Sequence, residues 1–425
     1  MSAPRLKTVT LGCKVNQYET EYLREGLLGI GYVDAGSEEI ADLCVVNTCT
    51  VTSAGDSKSR KTIRQLARRN PGTRIVVMGC YATRAPEEVA RLPGVVEVLT
   101  DKRELPDLLG RFGVTDIPTG VTGLGQRHRA YVKVQDGCLL RCSFCIIPQV
   151  RPHMESRPAT EIVSEVQRLV NNGYGEIVLT GIHLGHYGVD FNRGRPKSDW
   201  TRLSHLVRMI AKLPGDFRIR LSSIEATEVT QELIDVMGEN PKRVCPHLHI
   251  SMQSGSDSVL RRMGRRWGSR RYVDRCQLVQ SLLDLPAITT DIIVGFPGET
   301  EEEFLDTCRV AGEVGFSKIH IFPFSARRGT AAAELPGQLP KSIKQERAGR
   351  LALLEGELRA HYYRRLQGQR LRVLVESPST RNKNLLTGTS CRYAPVEVSA
   401  DGTTIGRFHD IVAGEVLDNA ILAAS

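Results

Sequence analysis

No uncharged apolar run in this sequence is long enough to cross a bilayer, which excludes a helical membrane protein. The opening residues, Met1-Ser2-Ala3-Pro4-Arg5-Leu6-Lys7, hold no apolar core followed by small residues, so no secretory leader is expected. A cytoplasmic location is the expectation. No low-complexity tract interrupts the chain and the charged fraction of 25% is ordinary, which excludes global disorder. The 11 cysteines therefore have no oxidising context that would pair them as disulfides. They are expected as metal ligands, catalytic thiols or small buried residues.

What is present is enough apolar residue, 41% of 425, to build two or three cores. Lys and Arg outnumber Asp and Glu by 57 to 48, a net charge of +9. Where such an excess clusters, it suits a polyanionic partner. It clusters at Lys58, Arg60, Lys61, Arg64, Arg68 and Arg69, again from Arg261 to Arg271, and at Arg364, Arg365, Arg370 and Arg372. A solvated helix face is the competing reading of any single run.

The residue patterns predict three units. Short β-branched strands at Lys7–Cys13, Leu43–Val51 and Arg74–Cys80 alternate with helical stretches at Asn16–Leu28 and Ser53–Arg69, the pattern of a parallel α/β sheet. Residues 105 to 130, rich in Gly, Pro and Thr, read as a linker. Six strands then follow, at Ala130–Gln135, Glu176–Thr180, Phe217–Ser222, His247–Met252, Ile288–Val294 and Lys318–Phe322. Helical periods separate most of them, as in Ile162, Val163, Val166, Leu169 and Val170. Six β/α units imply a partial (β/α)6 barrel that builds its site from the loops after the strands. A helical segment near Lys341–Arg365 leads into short strands at Arg370–Glu376, Glu397–Ser399 and Asp410–Leu417, a small all-β barrel. The expected domains are 1–115, 124–355 and 367–425.

The sharpest motif is Cys138-Leu-Leu-Arg-Cys142-Ser-Phe-Cys145, directly after the first strand of the middle unit. Three thiolates can hold three irons of a 4Fe–4S cluster and leave the fourth iron open to a substrate. A zinc site is the competing reading, but it needs four ligands, and no fourth Cys or His lies close by in sequence. Cys13, Cys49 and Cys80 each fall at or near a strand's carboxyl end, where open α/β sheets bind ligands. They could hold a second cluster or be core residues. Cys44 lies an odd number of positions from Cys49, so a regular strand turns it to the other face and into the core. Cys245, Cys276, Cys308 and Cys391 have no ligand partners in sequence and read the same way.

The spacing CxxxCxxC, with Phe144 before the last cysteine, resembles the signature of the radical S-adenosylmethionine (SAM) superfamily. Thr180-Gly181-Ile182-His183, Ser222-Ser223-Ile224-Glu225, Gln253-Ser254-Gly255 and Ile293-Val294-Gly295-Phe296-Pro297-Gly298-Glu299 resemble that family's successive strand ends. The resemblance implies that Cys138, Cys142 and Cys145 are catalytic. It implies that Thr180, Gly181, Ser223, Glu225, Gln253, Ser254, Arg265 and Gly295 contact SAM, Arg265 through a Met263-Gly-Arg265 segment that faces inward. Across essentially the whole chain, the order of three units resembles the methylthiotransferases. It assigns Cys13, Cys49 and Cys80 to an auxiliary 4Fe–4S cluster and the last unit to a TRAM-like RNA-binding barrel, with Gly388-Thr-Ser-Cys-Arg-Tyr393 and Val396 carrying that looser match.

The activity so implied converts C–H to C–S–CH₃. One SAM methylates a sulfur on the auxiliary cluster, and a second yields the 5′-deoxyadenosyl radical that takes hydrogen from the substrate. The segments Gly12-Cys13-Lys14-Val15-Asn16-Gln17-Tyr18-Glu19 and Val46-Asn47-Thr48-Cys49-Thr50-Val51-Thr52 resemble the subfamily that acts at C2 of N6-threonylcarbamoyladenosine at position 37, next to the tRNA anticodon. Other subfamilies act on N6-isopentenyladenosine or on an aspartate of a ribosomal protein. A non-enzymatic RNA-binding protein with closed, four-ligand structural metal sites is the alternative of a different class. The implied partners are two 4Fe–4S clusters, SAM, a tRNA anticodon stem-loop held by the barrel, and a flavodoxin- or ferredoxin-like electron donor. The expected form is a monomer.

Overall fold

The computed structural model describes residues 3–125 and 127–424. Met1, Ser2 and Ser425, the outermost residues of the expected end domains, lie outside it. The first sheet is parallel, with strands β1 (Arg5–Thr10), β2 (Val33–Asp34), β3 (Leu43–Thr48), β4 (Arg74–Gly79) and β5 (Val95–Val98) in the order β2-β1-β3-β4-β5. β3 is buried at every position, which its run Leu43-Cys44-Val45-Val46 requires of a central strand covered on both faces. Helix α1 (Lys14–Gly29) follows β1, and α2 (Ser53–Arg69) follows β3, capped by Thr52 Oγ1 accepting from the Gly55 N–H. A short helix, α3 (Cys80–Arg84), follows β4.

The expected linker is shorter than its composition predicted. Leu105–Arg111 is a helix, with Leu105, Leu108 and Leu109 buried in the first core. Leu109 lies where any side chain on Gly26 of α1 would collide with it. The i, i+3, i+4 spacing of these leucines carries the helix. Gly110 and Gly113 only end it, and their presence hid the helical signal.

The middle unit has the six expected strands and two short additional ones. β6 (Arg129–Asp136), β8 (Glu176–Gly181) and β9 (Arg218–Leu221) run parallel, with β7 (Glu155–Ser156) antiparallel to the end of β6. β10 (Ser223–Ile224), β11 (His247–Ile250), β12 (Ala287–Val294) and β13 (Lys318–Pro323) form a second parallel set. A single bridge, Ile219 to Val244, joins the two sets. Alternate residues such as Val132, Leu179, Ile219, Leu248, Ile250, Ile288 and Ile292 fill one core under the surrounding helices. His247, His249, Thr289, Asp291 and His320 alternate with them and so line the opposite, concave wall.

A helix from Lys341 to Leu366 leads to a closed barrel of β14 (Arg370–Pro378), β15 (Leu385–Ser390), β16 (Pro395–Ser399), β17 (Phe408–Val416) and β18 (Ile421–Ala423). Buried contacts join this barrel to the middle unit. Arg218 donates to the carbonyls of Arg372 and Thr389, and Arg220 to those of Ser390 and Cys391. Buried Glu176 accepts from both arginines, at 2.6 and 2.8 Å. Tyr393 packs on His247 with ring centroids 4.8 Å apart, and Ala287 lies in the barrel's own core. The barrel therefore closes one end of the middle unit.

Candidate functional site

Two sets of strand ends face each other. On the first sheet, Thr10 pairs with Asn47 and Thr48 with Gly79, so β1, β3 and β4 end level. Cys13, Cys49 and Cys80 each lie one to three residues beyond those ends. Asn16 ties the edge together by donating to the carbonyls of Leu11 and Thr48. Gly12 and Gly79 have positive φ, and a side chain at either would strike Cys49 or Asn47 and Thr48. Burial raises the Cys49 thiol pKa. Cys13 is exposed by surface area at the rim of this edge, yet the protein packed around its thiol raises its pKa too, with the Arg151 charge opposing and the Cys80 thiol adding. The three thiols are thus electrostatic neighbours. Cys44 is buried in the core and accepts from Thr73 Oγ1, as its odd spacing implies.

Cys138 lies two residues beyond β6. Gly137 allows its loop to pass within van der Waals distance of His153, since a Cβ there would sit 1.9 Å from the His153 carbonyl oxygen. Ser143 pins the loop by donating from N–H to the Met263 carbonyl and from Oγ to that of Arg262, at 2.9 and 2.7 Å. Burial pushes Cys145 up to about 12 and raises Cys142, with the Arg265 charge opposing both. Thiolates here need a cation's charge, which bound metal supplies. Among the described residues, the two groups tight enough for one ion are His183, His186 and Glu228, and His249, Asp291 and His320; neither contains a cysteine. Spread triads of free thiols fit clusters, whose ligands go to separate irons, better than a mononuclear zinc site.

Of the residues expected around SAM, Glu225 and Arg265 come together beside the cysteine loop. Arg265 Nη1 donates to Glu225 Oε1 at 2.7 Å, and the guanidinium lies 5.7 Å from both the Phe144 and Trp267 ring centroids. Glu225 Oε2 is buried without a partner among the described residues, a free acceptor at the site. Gln253 has φ 65, a strained backbone held by its N–H on the Asp291 carbonyl. Thr180 and Gly181 end β8, and Ser223 opens β10, two residues beyond the end of β9. Ser254 is different: its hydroxyl is 3.2 Å from Thr307 Oγ1, in the packing behind the wall. The Gly295 N–H is taken by Glu299 at 2.7 Å, which leaves only its carbonyl and Cα.

The tertiary structure adds contacts that no local motif announced, including one from His183, which closes the Thr180–His183 segment. His183 Nδ1 lies 3.6 Å from Cys138 Sγ, although no histidine is near that cysteine in sequence. Burial alone would lower the His183 pKa, but hydrogen bonds to Cys138 and Glu228 raise it to about 10. Arg151, fully buried, donates to Glu19 and Asp136 at 2.7 and 2.8 Å and to Asn16 Oδ1 at 2.9 Å. It therefore locks α1, which begins beside Cys13, to the end of β6, two residues before Cys138. Arg327 reaches from beyond β13 to Asp56 of α2 at 2.6 Å. Cys80 packs against Ile146 and Val150 of the helix after Cys145. A cleft of ≈ 440 Å³ opens at this junction, lined by Tyr18, Lys102, His153 and Arg157 among others.

Residues 132–311 match the family model described as the radical SAM superfamily, and residues 5–101 the model described as uncharacterized protein family UPF0004. The fold is similar to that of the radical S-adenosylmethionine methyltransferase TsrM from Kitasatospora setae. The TM-score is 0.56 at 14% identity, over 78% of this chain and 77% of that one. Fold and thiol loop together define a radical SAM enzyme. The chain is 39% identical to the threonylcarbamoyladenosine tRNA methylthiotransferase MtaB of Bacillus subtilis, over 94% of this chain and 91% of that protein. It is 37% identical to the protein of that name from Thermotoga maritima, over 98% and 97%. To the tRNA-2-methylthio-N(6)-dimethylallyladenosine synthase of Mycobacterium ulcerans it is 34% identical, over 99% and 83%. The chain belongs to the methylthiotransferase family of radical SAM enzymes.

Proposed function

We propose that this enzyme inserts a methylthio group at C2 of N6-threonylcarbamoyladenosine in tRNA. The observation that carries the reading is the opposition of two thiol triads on strand ends of different domains, locked by the Glu19–Arg151–Asp136 bridge. One triad alone serves many radical reactions; a second one facing it suits delivery of sulfur to a substrate carbon held between them. The higher identity to the threonylcarbamoyladenosine enzymes selects the N6 group over dimethylallyl.

In this reading Cys138, Cys142 and Cys145 hold the catalytic 4Fe–4S cluster, and Cys13, Cys49 and Cys80 the auxiliary one. Bound SAM supplies both the methyl group and, after one-electron reduction, the hydrogen-abstracting radical. Thr180, Gly181, Ser223, Glu225, Gln253, Arg265 and Gly295 border its site, and Glu225 Oε2 is an acceptor free for an ammonium or hydroxyl. The Ser143 hydrogen bonds fix the cysteine loop, and Phe144 packs beside the Arg265 guanidinium. The domains are taken as 1–115, 124–355 and 367–425, the last contacting RNA. An external flavodoxin- or ferredoxin-like donor supplies electrons, and the enzyme works as a cytoplasmic monomer. No described helix is long and apolar enough to cross a membrane.

The test is mass spectrometry of tRNA nucleosides from cells lacking this protein. Loss of 2-methylthio-N6-threonylcarbamoyladenosine, with its precursor accumulating, is the expected result. An unchanged level of that nucleoside with loss of the isopentenyl analogue would overturn the substrate assignment.

A further inference from the structure

Beside the cluster loops, the concave wall carries polar groups that neither the clusters nor SAM account for. His249, Asp291 and His320, from adjacent strands β11, β12 and β13, each place an atom within 4.8 Å of the others. His249 Nε2 is 3.3 Å from Asp291 Oδ2, and its Nδ1 is 3.0 Å from Thr289 Oγ1. The His249 and His320 rings lie 5.7 Å apart. Lys14 is half-buried at the start of α1, next to Cys13. Burial is the main cause that lowers the pKa values of His247 and His320, and the Lys14 charge adds to it in both. Lys14 has no ion-pair partner among the described residues. A metal ion is the competing occupant of this trio, and the experiment below decides between the two.

An apolar N6 substituent entering here would strip water from a carboxylate, an ammonium and two imidazoles without replacing it, which is costly. A threonylcarbamoyl group is a urea-linked threonine with a free carboxylate, a hydroxyl and N–H donors. It can satisfy each of these groups.

We propose that Lys14, His249, Asp291 and His320 form the specificity pocket for the N6-threonylcarbamoyl group, with Lys14 pairing its carboxylate and Asp291 accepting from its hydroxyl or urea N–H. The inference rests on the substrate reading above. Because Lys14 adjoins Cys13, a substituent held by it places the adenine ring between the two triads. His249, hydrogen-bonded to Thr289 and with Nε2 3.3 Å from Asp291 Oδ2, acts as a positioning residue for the Asp291 carboxylate. Sites built around hydrogen bonds reject analogues that lack the bonding groups far more strongly than apolar pockets reject an added group.

The experiment uses reconstituted enzyme and three tRNAs, carrying threonylcarbamoyladenosine, isopentenyladenosine or unmodified adenosine. Wild type is compared with Lys14→Met, Asp291→Asn and His320→Gln, all checked for iron content and thermal unfolding. The expected result is a fall of about tenfold or more in kcat/KM on the threonylcarbamoyl substrate, most of it in KM for Lys14→Met, with a smaller change on the other tRNAs. The affinity difference between threonylcarbamoyl and unmodified tRNA, read by titration without turnover, should shrink in parallel. If wild type acts on isopentenyl tRNA and not on the threonylcarbamoyl form, the substrate reading fails first. If wild type acts as proposed and all three variants keep its preference at full iron content, the pocket assignment alone is overturned. Retention of one zinc or manganese ion per chain, lost in Asp291→Asn, would also overturn it.

Discussion

At the residue scale, the six cysteines of the triads and Cys44 make opposite predictions from the same side chain. Cys142→Ala removes a thiolate from a triad that has no spare ligand, so anaerobically reconstituted enzyme should release no 5′-deoxyadenosine. Cys49→Ala should keep 5′-deoxyadenosine release yet yield no methylthio product, since only the first-sheet triad is broken. Cys44→Ala, deep in the core between α2 and the sheet, should keep both activities and cost about 1 kcal/mol in a denaturant titration. A Cys44 variant that loses iron while the Cys49 variant keeps it would reverse the ligand assignment. Strand periodicity separates the two positions, and the structure places Cys44 as that periodicity predicts.

At the element scale, two buried charge networks decide how the units meet. Arg151→Met would leave Glu19 and Asp136 buried without their shared cation, a loss of roughly 3–5 kcal/mol readable as a lowered denaturation midpoint. The second network joins β8 and β9 to the barrel. Arg220 and Arg218 overcome the burial that would raise Glu176 and hold its carboxyl well below the usual range. Its folded pKa is depressed, so its contribution is fully present above the unfolded value of about 4.3 and is lost as pH falls below it. Glu176→Gln should therefore destabilise the protein at pH 7. It should also flatten the wild-type loss of stability on acidification below that value. Unfolding curves at pH 7, 4 and 3 measure both effects; parallel pH profiles for the two proteins would refute the role given to Glu176.

At the scale of the whole molecule, charge and metal content are the readable quantities. Lys58, Lys61, Arg64, Arg68 and Arg69 are exposed on α2, the helix that follows Cys49, and make no ion pairs among the described residues. The other basic clusters are partly spent: Arg262 pairs with Glu303, Arg265 with Glu225 and Arg372 with Asp216. The α2 face is therefore the better phosphate-binding surface. tRNA affinity should fall steeply with salt, and replacing Lys58, Lys61 and Arg64 by Gln should reduce the log–log slope by roughly two. An unchanged slope would remove α2 from the interface. Fully reconstituted enzyme should hold about eight irons per chain, two cubanes of four; about four would leave room for one. Because the barrel closes the end of the middle unit, point changes of this kind test RNA binding more cleanly than deleting the barrel.

The sequence by itself determined the order of the three units, the six strands of the middle one and the placing of Cys13, Cys49, Cys80 and Cys138 just beyond strand ends. Those features are written in local signals: β-branched runs, strand-end cysteines and the CxxxCxxC spacing. The helix at Leu105–Arg111 was equally local but masked by the glycines that end it. Only the tertiary structure decided what lies between the units. His183 meets Cys138, Arg151 meets Glu19 and Asn16, and Arg218 meets the barrel carbonyls across separations of 45 to 171 residues. Asp291 and His320 become neighbours only because parallel pairing sets their register. A buried charge finds its partner through packing rather than spacing, so an arginine destined for a core reads in sequence like one bound for solvent.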